Sequence, residues 1–207
     1  MNYTSLLAQV VDTLGSQVTT AQVDAMLPFV ESRFNRIIDS PERETEAYIT
    51  PTADIQLPAD CWKLRDIWVM GTASSSVATS LVQVSPEQAR ALYAYQTNGM
   101  EAFSLTGRTI DFWPDPGATN TTQVRIRYQK TIPALTSSNT TNWLLTYHPD
   151  IYYYALLLQC EAYIVNDQRL PIWKSALDEA IGELSTLSAK QRYAQAPVAP
   201  RPMRYDS

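Results

Sequence analysis

Two apolar segments near the carboxyl end of the sequence constrain its fold more than any other feature. In the first, apolar residues recur at steps that mark one face of an α-helix: Ile151, Ala155, Leu158, Ala162 and Val165. The second repeats this spacing: Trp173, Leu177, Ala180, Leu184 and Leu187. Polar residues 166–169 separate the segments, and Pro171 suits the first turn of a helix. We therefore predict two long helices that reverse direction at residues 166–169 and pack face to face.

The first of these helices is apolar on almost every side. The positions outside its stripe are also filled by large apolar residues: Tyr152, Leu156, Leu157, Tyr163 and Ile164. Such a helix is covered on several sides in a folded protein. The sequence has no run of about eighteen apolar residues, so no membrane span is predicted. Its cover must come from the rest of the chain or from neighbouring subunits.

The composition is typical of a soluble globular protein. A chain of 207 residues can form one domain or two small ones. The net charge of −5 argues against a nucleic-acid-binding groove, because such grooves neutralise phosphates with a basic face. DNA could still pass nearby without being held. The first twenty residues lack the pattern of a signal peptide, so none is expected.

Two helical regions are predicted at the amino end. Thr4 or Ser5 would cap the first, and Gly15 would end it. The second keeps a helical period from Val23 to Ile37, but Pro28 interrupts it, which predicts a short helix to Met26 and a longer one from about Pro28. Its polar positions predict a solvated face that could pair across subunits in a ring: Glu31, Arg33, Arg36 and Asp39.

The middle of the chain predicts strands. From Ala47 to Lys130 the apolar period falls toward two, between turn-forming residues. The candidate strands are Ala47–Thr50, Leu64–Met70, Leu81–Val84, Ala102–Leu105, Ile110–Trp113 and Val124–Lys130. In the last, Val124, Ile126 and Tyr128 would face a core, and Arg125, Arg127 and Gln129 or Lys130 would face solvent. Thr106-Gly107-Arg108 predicts a tight hairpin turn.

One helix is predicted among the strands, from Ser85 to about Tyr95. Ser85, Pro86 and Gln88 form the pattern of a capping box with a first-turn proline. Ala89, Leu92 and Tyr93 would pack this helix on the sheet.

These elements predict an α+β fold with a discontinuous helical bundle. Residues 1–46 and 131–193 would form the helical module, and residues 47–130 would form an inserted antiparallel β module. Residues 194–207 contain three prolines and no periodic stripe, which predicts an extended carboxyl-terminal arm.

Residues suited to catalysis are few, and we predict neither an enzyme nor a bound cofactor or metal. Cys61 and Cys160 lie far apart in sequence and belong to no metal or redox motif, so buried thiols are expected. His148 is the only histidine and precedes a proline at a predicted helix start, which favours a capping or packing role. The sequence contains no phosphate-binding glycine loop.

One pattern admits a different interpretation. Asp111 and Asp115 flank Trp113 near a predicted hairpin, which could form an aromatic shelf for a sugar or a glycosidase pair. Trp113 is more simply interpreted as a packing residue at a strand end. We retain a glycan-binding β module as an alternative.

The order of several short stretches resembles a known family. These are LPADCWKLR at 57–65, IDFWPDP at 110–116, IRYQKTIPAL at 126–135, NWLL at 142–145 and PDIY at 149–152. Together with the amino-terminal helix, they resemble the head-to-tail adaptor proteins of tailed bacteriophages, also called neck, connector or tail tubular proteins. The resemblance extends from about Pro28 to Leu187, and its motifs are structural.

The resemblance implies a structural virion protein, made in the host cytoplasm, that forms a ring beneath the portal. Such rings commonly contain twelve copies, join the capsid to the tail and extend the channel through which DNA is ejected. It implies no membrane partner and no specific grip on DNA. A downstream tail nozzle or tail-tube protein would be a second partner. The alternative within the virion is a stopper or tail-tube component that does not contact the portal.

The resemblance also assigns tasks to residues of this chain. The arm would bind the portal through apolar anchors and two arginines: Pro197, Val198, Pro200, Arg201, Pro202, Met203, Arg204 and Tyr205. Charged residues of the helices are candidates for contacts between subunits: Glu31, Arg33, Arg36, Arg169 and Lys174. We expect a monomer when the portal is absent.

Overall fold

A computed structural model describes residues 1–51, 55–70, 78–93, 99–117, 122–164 and 168–193. It confirms the predicted α+β class, with helices and two mainly antiparallel sheets. The chain divides into two compact units, which we call the helical unit (residues 1–42 and 132–207) and the β unit (residues 43–131).

Helix α1, Tyr3–Leu14, opens the helical unit. Its cap is Asn2, whose Oδ1 accepts a hydrogen bond from the Ser5 N–H at 2.8 Å, while Ser5 Oγ accepts from the Asn2 N–H at 2.9 Å. The prediction of Thr4 or Ser5 as the cap is therefore wrong, because Ser5 is the third helical residue and completes the capping box. Gly15 ends the helix with a φ of +64°, as expected.

Helix α2, Thr20–Ile37, is continuous, so the predicted break at Pro28 is wrong. Pro28 lies on the exposed side of the helix. There, water can satisfy the backbone carbonyl that loses its N–H partner. The apolar stripe along the opposite side holds both halves in one helix: Val23, Leu27, Val30 and Phe34.

The β unit contains two four-stranded sheets. The strands are β1 (Glu44–Ile49), β2 (Ile55–Gln56), β3 (Cys61–Val69), β4 (Thr79–Ser80), β5 (Val82–Gln83), β6 (Ala102–Thr106), β7 (Thr109–Trp113) and β8 (Val124–Lys130). The first sheet has the order β1-β8-β3-β4 and is antiparallel. The second has the order β2-β7-β6-β5, with a parallel pair between β5 and β6.

Alternation in β8 is confirmed at Val124, Ile126 and Tyr128, which are buried in the core of the β unit. The sequence predicted that Gln129 or Lys130 would face solvent, but Gln129 is buried. β8 is an inner strand, and its register places Gln129 between Glu44 of β1 and Lys63 of β3. The short strands β2 and β4 were not predicted, and within the predicted strand at Leu81–Val84 the structure has only the two-residue strand β5.

Helix α3, Pro86–Tyr93, has the predicted capping box. The Gln88 N–H donates to Ser85 Oγ at 3.2 Å, and the Ser85 N–H donates to Gln88 Oε1 at 3.3 Å. Ala89 is fully buried, but Leu92 is 60% exposed and does not pack on the sheet. The predicted extension to Tyr95 lies outside the described residues.

Helices α4 (Trp143–Tyr147), α5 (Pro149–Gln159) and α6 (Leu170–Tyr193) complete the helical unit. α5 is shorter than predicted, because the chain tightens into a 3₁₀ turn at Cys160–Tyr163. That tightening changes the phase of the predicted stripe after Gln159, and Ala162 is exposed. Leu158, which precedes the turn, is half-buried. Val165 and residues 166–167 of the predicted corner lie outside the described residues. The observed buried face is Ile151, Tyr152, Ala155, Leu156, Leu157 and Cys160.

The stripe of α6 is confirmed at Trp173, Leu177 and Leu184, which are buried. Leu187 is 45% exposed, and Ser188 takes the next inward position because it follows Leu184 by four residues. α5 contacts α1, α2, α4 and α6, which provides the cover that its apolar surface requires. No helix in the described part of the chain is both long and apolar enough to cross a membrane.

Candidate functional site

A buried polar cluster joins the two ends of the chain inside the helical unit. Glu31 on α2 is only 7% exposed, and its Oε1 accepts a hydrogen bond from the Leu135 N–H at 2.7 Å. The Tyr152 hydroxyl of α5 donates to the same oxygen at 3.4 Å. The Ile132 N–H donates to Asn35 Oδ1 at 2.9 Å. Through Glu31 and Asn35, α2 therefore holds the loop that follows β8 at two points.

Asn142 extends this cluster to α4. Its Nδ2 donates to the Pro133 carbonyl and to the Tyr152 hydroxyl, both at 2.8 Å. Its Oδ1 accepts from the Leu145 N–H at 2.8 Å, which caps α4. Three of the stretches that carried the family resemblance therefore meet here, since they contribute Leu135, Asn142 and Tyr152.

Glu31 was predicted on a solvated face, and this is wrong. Burial raises the pKa of Glu31 above its ordinary value, while the hydrogen bonds from Leu135 and Tyr152 act in the opposite direction. Burial also raises the pKa of Tyr152. Its spacing from Leu27 and Phe34 placed Glu31 on the buried stripe of α2, but its hydrogen-bond donors are distant in the chain and could not be foreseen. Being buried in its own unit, Glu31 offers no surface for a contact between subunits.

The exposed side of α2 combines apolar and basic side chains. Phe29 is 61% exposed, and Arg33 and Arg36 follow it on the same side of the helix at the next two turns. Arg36 Nη1 donates to Ser32 Oγ at 2.9 Å. We call Phe29, Arg33 and Arg36 the basic face. Sequence reasoning selected both arginines but missed Phe29, which resembles a core residue in a linear pattern.

The exposed side of α6 combines apolar and acidic side chains. Ile172 is 66% exposed, and Glu179 and Glu183 follow on the same side. A shallow groove along this side is lined by Ile172, Ala176 and Glu179, among others. We call Ile172, Ala176, Glu179 and Glu183 the acidic face.

The remaining predicted interface residues lie at the start of α6. Lys174 is exposed, and the guanidinium of Arg169 lies 4.8 Å from the centroid of the Trp173 ring. At the other end of α6, Arg192 forms an ion pair with Asp39, which follows α2. The predicted portal-binding residues between Pro197 and Tyr205 lie outside the described residues.

The β unit carries a charged sheet face opposite its core. Arg125 and Arg127 both lie over the ring of Trp68, at 4.5 and 5.2 Å from its centroid. Arg127 also pairs with Asp66 at 2.7 Å, and Arg125 lies 3.8 Å from Glu46. Each arginine therefore has an acidic neighbour within this face.

The aromatic and acidic residues near Trp113 line a shallow cleft. Its walls include Asp111, Trp113, Asp115 and Arg90. Trp113 is half-buried, and its Nε1 donates to Ser104 Oγ at 2.9 Å. This bond fixes the indole within the sheet, in keeping with a packing role.

The chemically reactive side chains lie in unreactive settings. Cys61 and Cys160 are free and buried as predicted, and burial raises the pKa of both thiols, that of Cys160 to about 11. His148 is half-buried at the start of α5, and its side chain makes no capping hydrogen bond. No group of three or more His, Cys, Asp or Glu suited to a metal occurs among the described residues.

Comparison with known protein families gives a match over nearly the whole chain. The matching family is described as SU10 adaptor protein, and the match covers residues 1–201. It therefore includes both segments of the helical unit and the β unit between them. No protein with a curated description matches the sequence.

Proposed function

Because the chain belongs to the SU10 adaptor protein family, a phage adaptor-type family, we propose that it forms a ring beneath the portal of a tailed bacteriophage. The ring joins capsid to tail and continues the channel for DNA ejection. Family membership makes the chain a structural phage adaptor that associates with other virion proteins. We assign it no catalytic role. The observation that carries the proposal is the family match over residues 1–201.

Features of the helical unit support assembly. Its exposed surface includes the large apolar side chains of Phe29 and Ile172, which would be buried by contact with a neighbouring copy. The polar cluster around Glu31 ties α2 to the loop at residues 132–135 and to α5, and α5 in turn packs on α6. The net charge of −5 suits a channel that repels DNA phosphates.

The arm provides the contact with the portal in this proposal. Residues 194–207 follow α6 and contain Val198, Met203 and Tyr205 as apolar anchors, with Arg201 and Arg204 as cations. A segment of this composition can order on a partner, where each anchor fills a pocket. The number of copies is twelve by analogy with related rings, and the chain alone is a monomer.

A binding experiment with the portal of the same phage tests this proposal. Purified chain and purified portal are mixed and sedimented together, and a chain ending at Tyr193 serves as the comparison. We expect the full chain to co-sediment with the portal and the truncated chain to remain behind. Absence of co-sedimentation by the full chain would contradict the proposed function.

The truncation also separates the proposal from its nearest alternative. A stopper or tail-tube component would bind tail proteins and would not need the arm. If the truncated chain binds the portal as well as the full chain does, the arm has been assigned the wrong role. If the full chain instead binds purified tail protein alone, the stopper or tail-tube assignment replaces the adaptor ring.

The cleft at Trp113 supports the remaining alternative, a glycan-binding β module. It brings an indole ring and the carboxylates of Asp111 and Asp115 to one surface. A glycan-binding screen with Trp113→Ala as the control tests it. Specific binding that the substitution abolishes would favour this function, and the adaptor proposal predicts that no glycan is bound.

A further inference from the structure

The helical unit exposes two faces of opposite charge that are otherwise alike. The basic face presents Phe29 with Arg33 and Arg36, and the acidic face presents Ile172 with Glu179 and Glu183. Each combines one large exposed apolar side chain with two charges of one sign. Arg33, Glu179 and Glu183 form no ion pair with any described residue.

The two faces lie on different helices of the helical unit. α2 and α6 both contact α5, and each turns its buried stripe toward the shared core, so each face lies on the side of its helix away from that core. The end of α2 also meets α6, where Ile38 and Leu184 line a small cavity and Asp39 pairs with Arg192. Within one copy, the charges of the basic face therefore do not pair with those of the acidic face.

From this charge complementarity, we propose that the basic face of one copy docks on the acidic face of the next. The two arginines are three residues apart and the two glutamates four, which is about 4.5 and 6 Å along a helix. Phe29 and Ile172 supply apolar area, and a shallow groove runs beside Ala176. Lys190 lies two turns beyond Glu183 on the same side and bounds the acidic face.

A contact between two different faces has a geometric consequence. Each copy keeps one unused basic face and one unused acidic face, so copies add head to tail until a ring closes. The inference rests on the proposed function, because a ring requires such a heterologous contact. It goes further in naming the two surfaces and in excluding Glu31 from them.

Charge reversal in the phage that encodes the chain tests this assignment. The phage gene is inactivated, and the chain is supplied from a plasmid as wild type, as Arg33→Glu/Arg36→Glu, or as Glu179→Lys/Glu183→Lys. Copies of the chain per purified virion are counted by quantitative mass spectrometry. We expect about a tenfold or greater loss for either variant alone, because like charges then oppose each other at every contact.

Co-expression of the two variants is the decisive experiment. One variant then carries two acidic faces and the other two basic faces, so each contact between unlike copies again joins opposite charges. A ring with an even number of copies can alternate them. We expect co-expression to restore incorporation to within about threefold of wild type, since each restored contact regains its attraction.

A control variant tests whether a charge change on α6 matters only when it falls within the acidic face. Asp178→Lys changes a neighbouring exposed carboxylate that lies about 100° around α6 from Glu179, outside the acidic face. It should be incorporated like wild type, and circular dichroism should show all variants folded.

The outcomes separate the two claims. If the wild-type chain is absent from virions, the proposed function itself fails. If wild type is incorporated and either reversal variant is incorporated equally well, the paired faces are wrong while the adaptor role stands. If both variants fail and co-expression does not rescue them, the faces bind something other than each other, such as the portal or the arm, and the inference is overturned.

Discussion

The carboxylate of Glu31 is held inside the helical unit by donors from two other parts of the chain. The Leu135 N–H and the Tyr152 hydroxyl lie 104 and 121 residues further along the sequence. Glu31 was assigned to the polar side of α2 because it is charged, although it follows Leu27 by four residues and precedes Phe34 by three, which is the spacing of the buried stripe. Helical spacing could not indicate donors so distant. Burial of Leu6, Val10 and Phe34 was predictable, because an apolar stripe identifies its own buried side.

Substitution of Glu31 should separate its hydrogen bonds from its charge. Glu31→Gln keeps an acceptor for the Leu135 N–H, whereas Glu31→Ala leaves that buried donor without a partner. We expect Glu31→Ala to lower the free energy of unfolding by about 1–3 kcal/mol. Glu31→Gln should lower it much less at neutral pH. Urea unfolding followed by circular dichroism measures both, and equal losses would contradict a role for the acceptor.

The stability of Glu31→Gln relative to wild type should depend on pH, because the pKa of Glu31 is raised in the folded chain. The folded chain binds this proton more tightly than the unfolded chain does. The contribution of this group to stability is therefore greatest below the unfolded pKa and is lost as pH rises through the folded pKa. Between about pH 4 and pH 8, we expect the stability of Glu31→Gln relative to wild type to increase. A relative stability that falls over this range would contradict the assignment.

Among the elements, helix α2 departs most from its local propensity. Pro28 lies in its ninth position, and the helix continues because one apolar stripe is buried on both sides of the proline. Helix propensity reflects the missing N–H of proline but not this tertiary packing. The hairpin and the capping box of α3 were predictable, since each depends on residues within a few positions of each other.

Replacing Pro28 by alanine should stabilise the helical unit. Alanine restores the missing helical N–H, and Pro28 is exposed, so no core packing is lost. Proline also restricts the unfolded chain, which offsets part of the gain. We expect a net increase of about 1–2 kcal/mol in the free energy of unfolding. Thermal unfolding measures it, and a lower melting temperature would contradict the continuous helix.

Two glycines should respond to alanine in opposite directions. Gly107, in the β6–β7 hairpin, has a φ of +64°, whereas Gly182 lies within α6. An added Cβ would meet no atom within 4 Å at either position, so backbone conformation decides the effect. We expect Gly107→Ala to cost about 1 kcal/mol and Gly182→Ala to add about 0.5–1 kcal/mol. Urea unfolding of both variants checks the signs, and equal signs would contradict the assigned turn or helix.

For the whole molecule, the order of elements predicted the α+β class, because alternation and helical spacing are local signals. The exposed faces of α2 and α6 could not be assigned in this way. Phe29 and Ile172 lie outside the apolar stripes predicted for their helices, and no local pattern gave them a role. The packing of both helices on α5 leaves the side chains of Phe29 and Ile172 exposed beside charged residues. These side chains and charges together form the surfaces that we propose for assembly.

Electron microscopy of the neck in purified virions tests the central claim most directly. We expect a ring of this chain immediately beneath the portal, with α2 of each copy facing α6 of its neighbour and the segment after Tyr193 directed toward the portal. A neck in which the chain is absent from this position, or is present as a single copy away from the portal, would contradict the account.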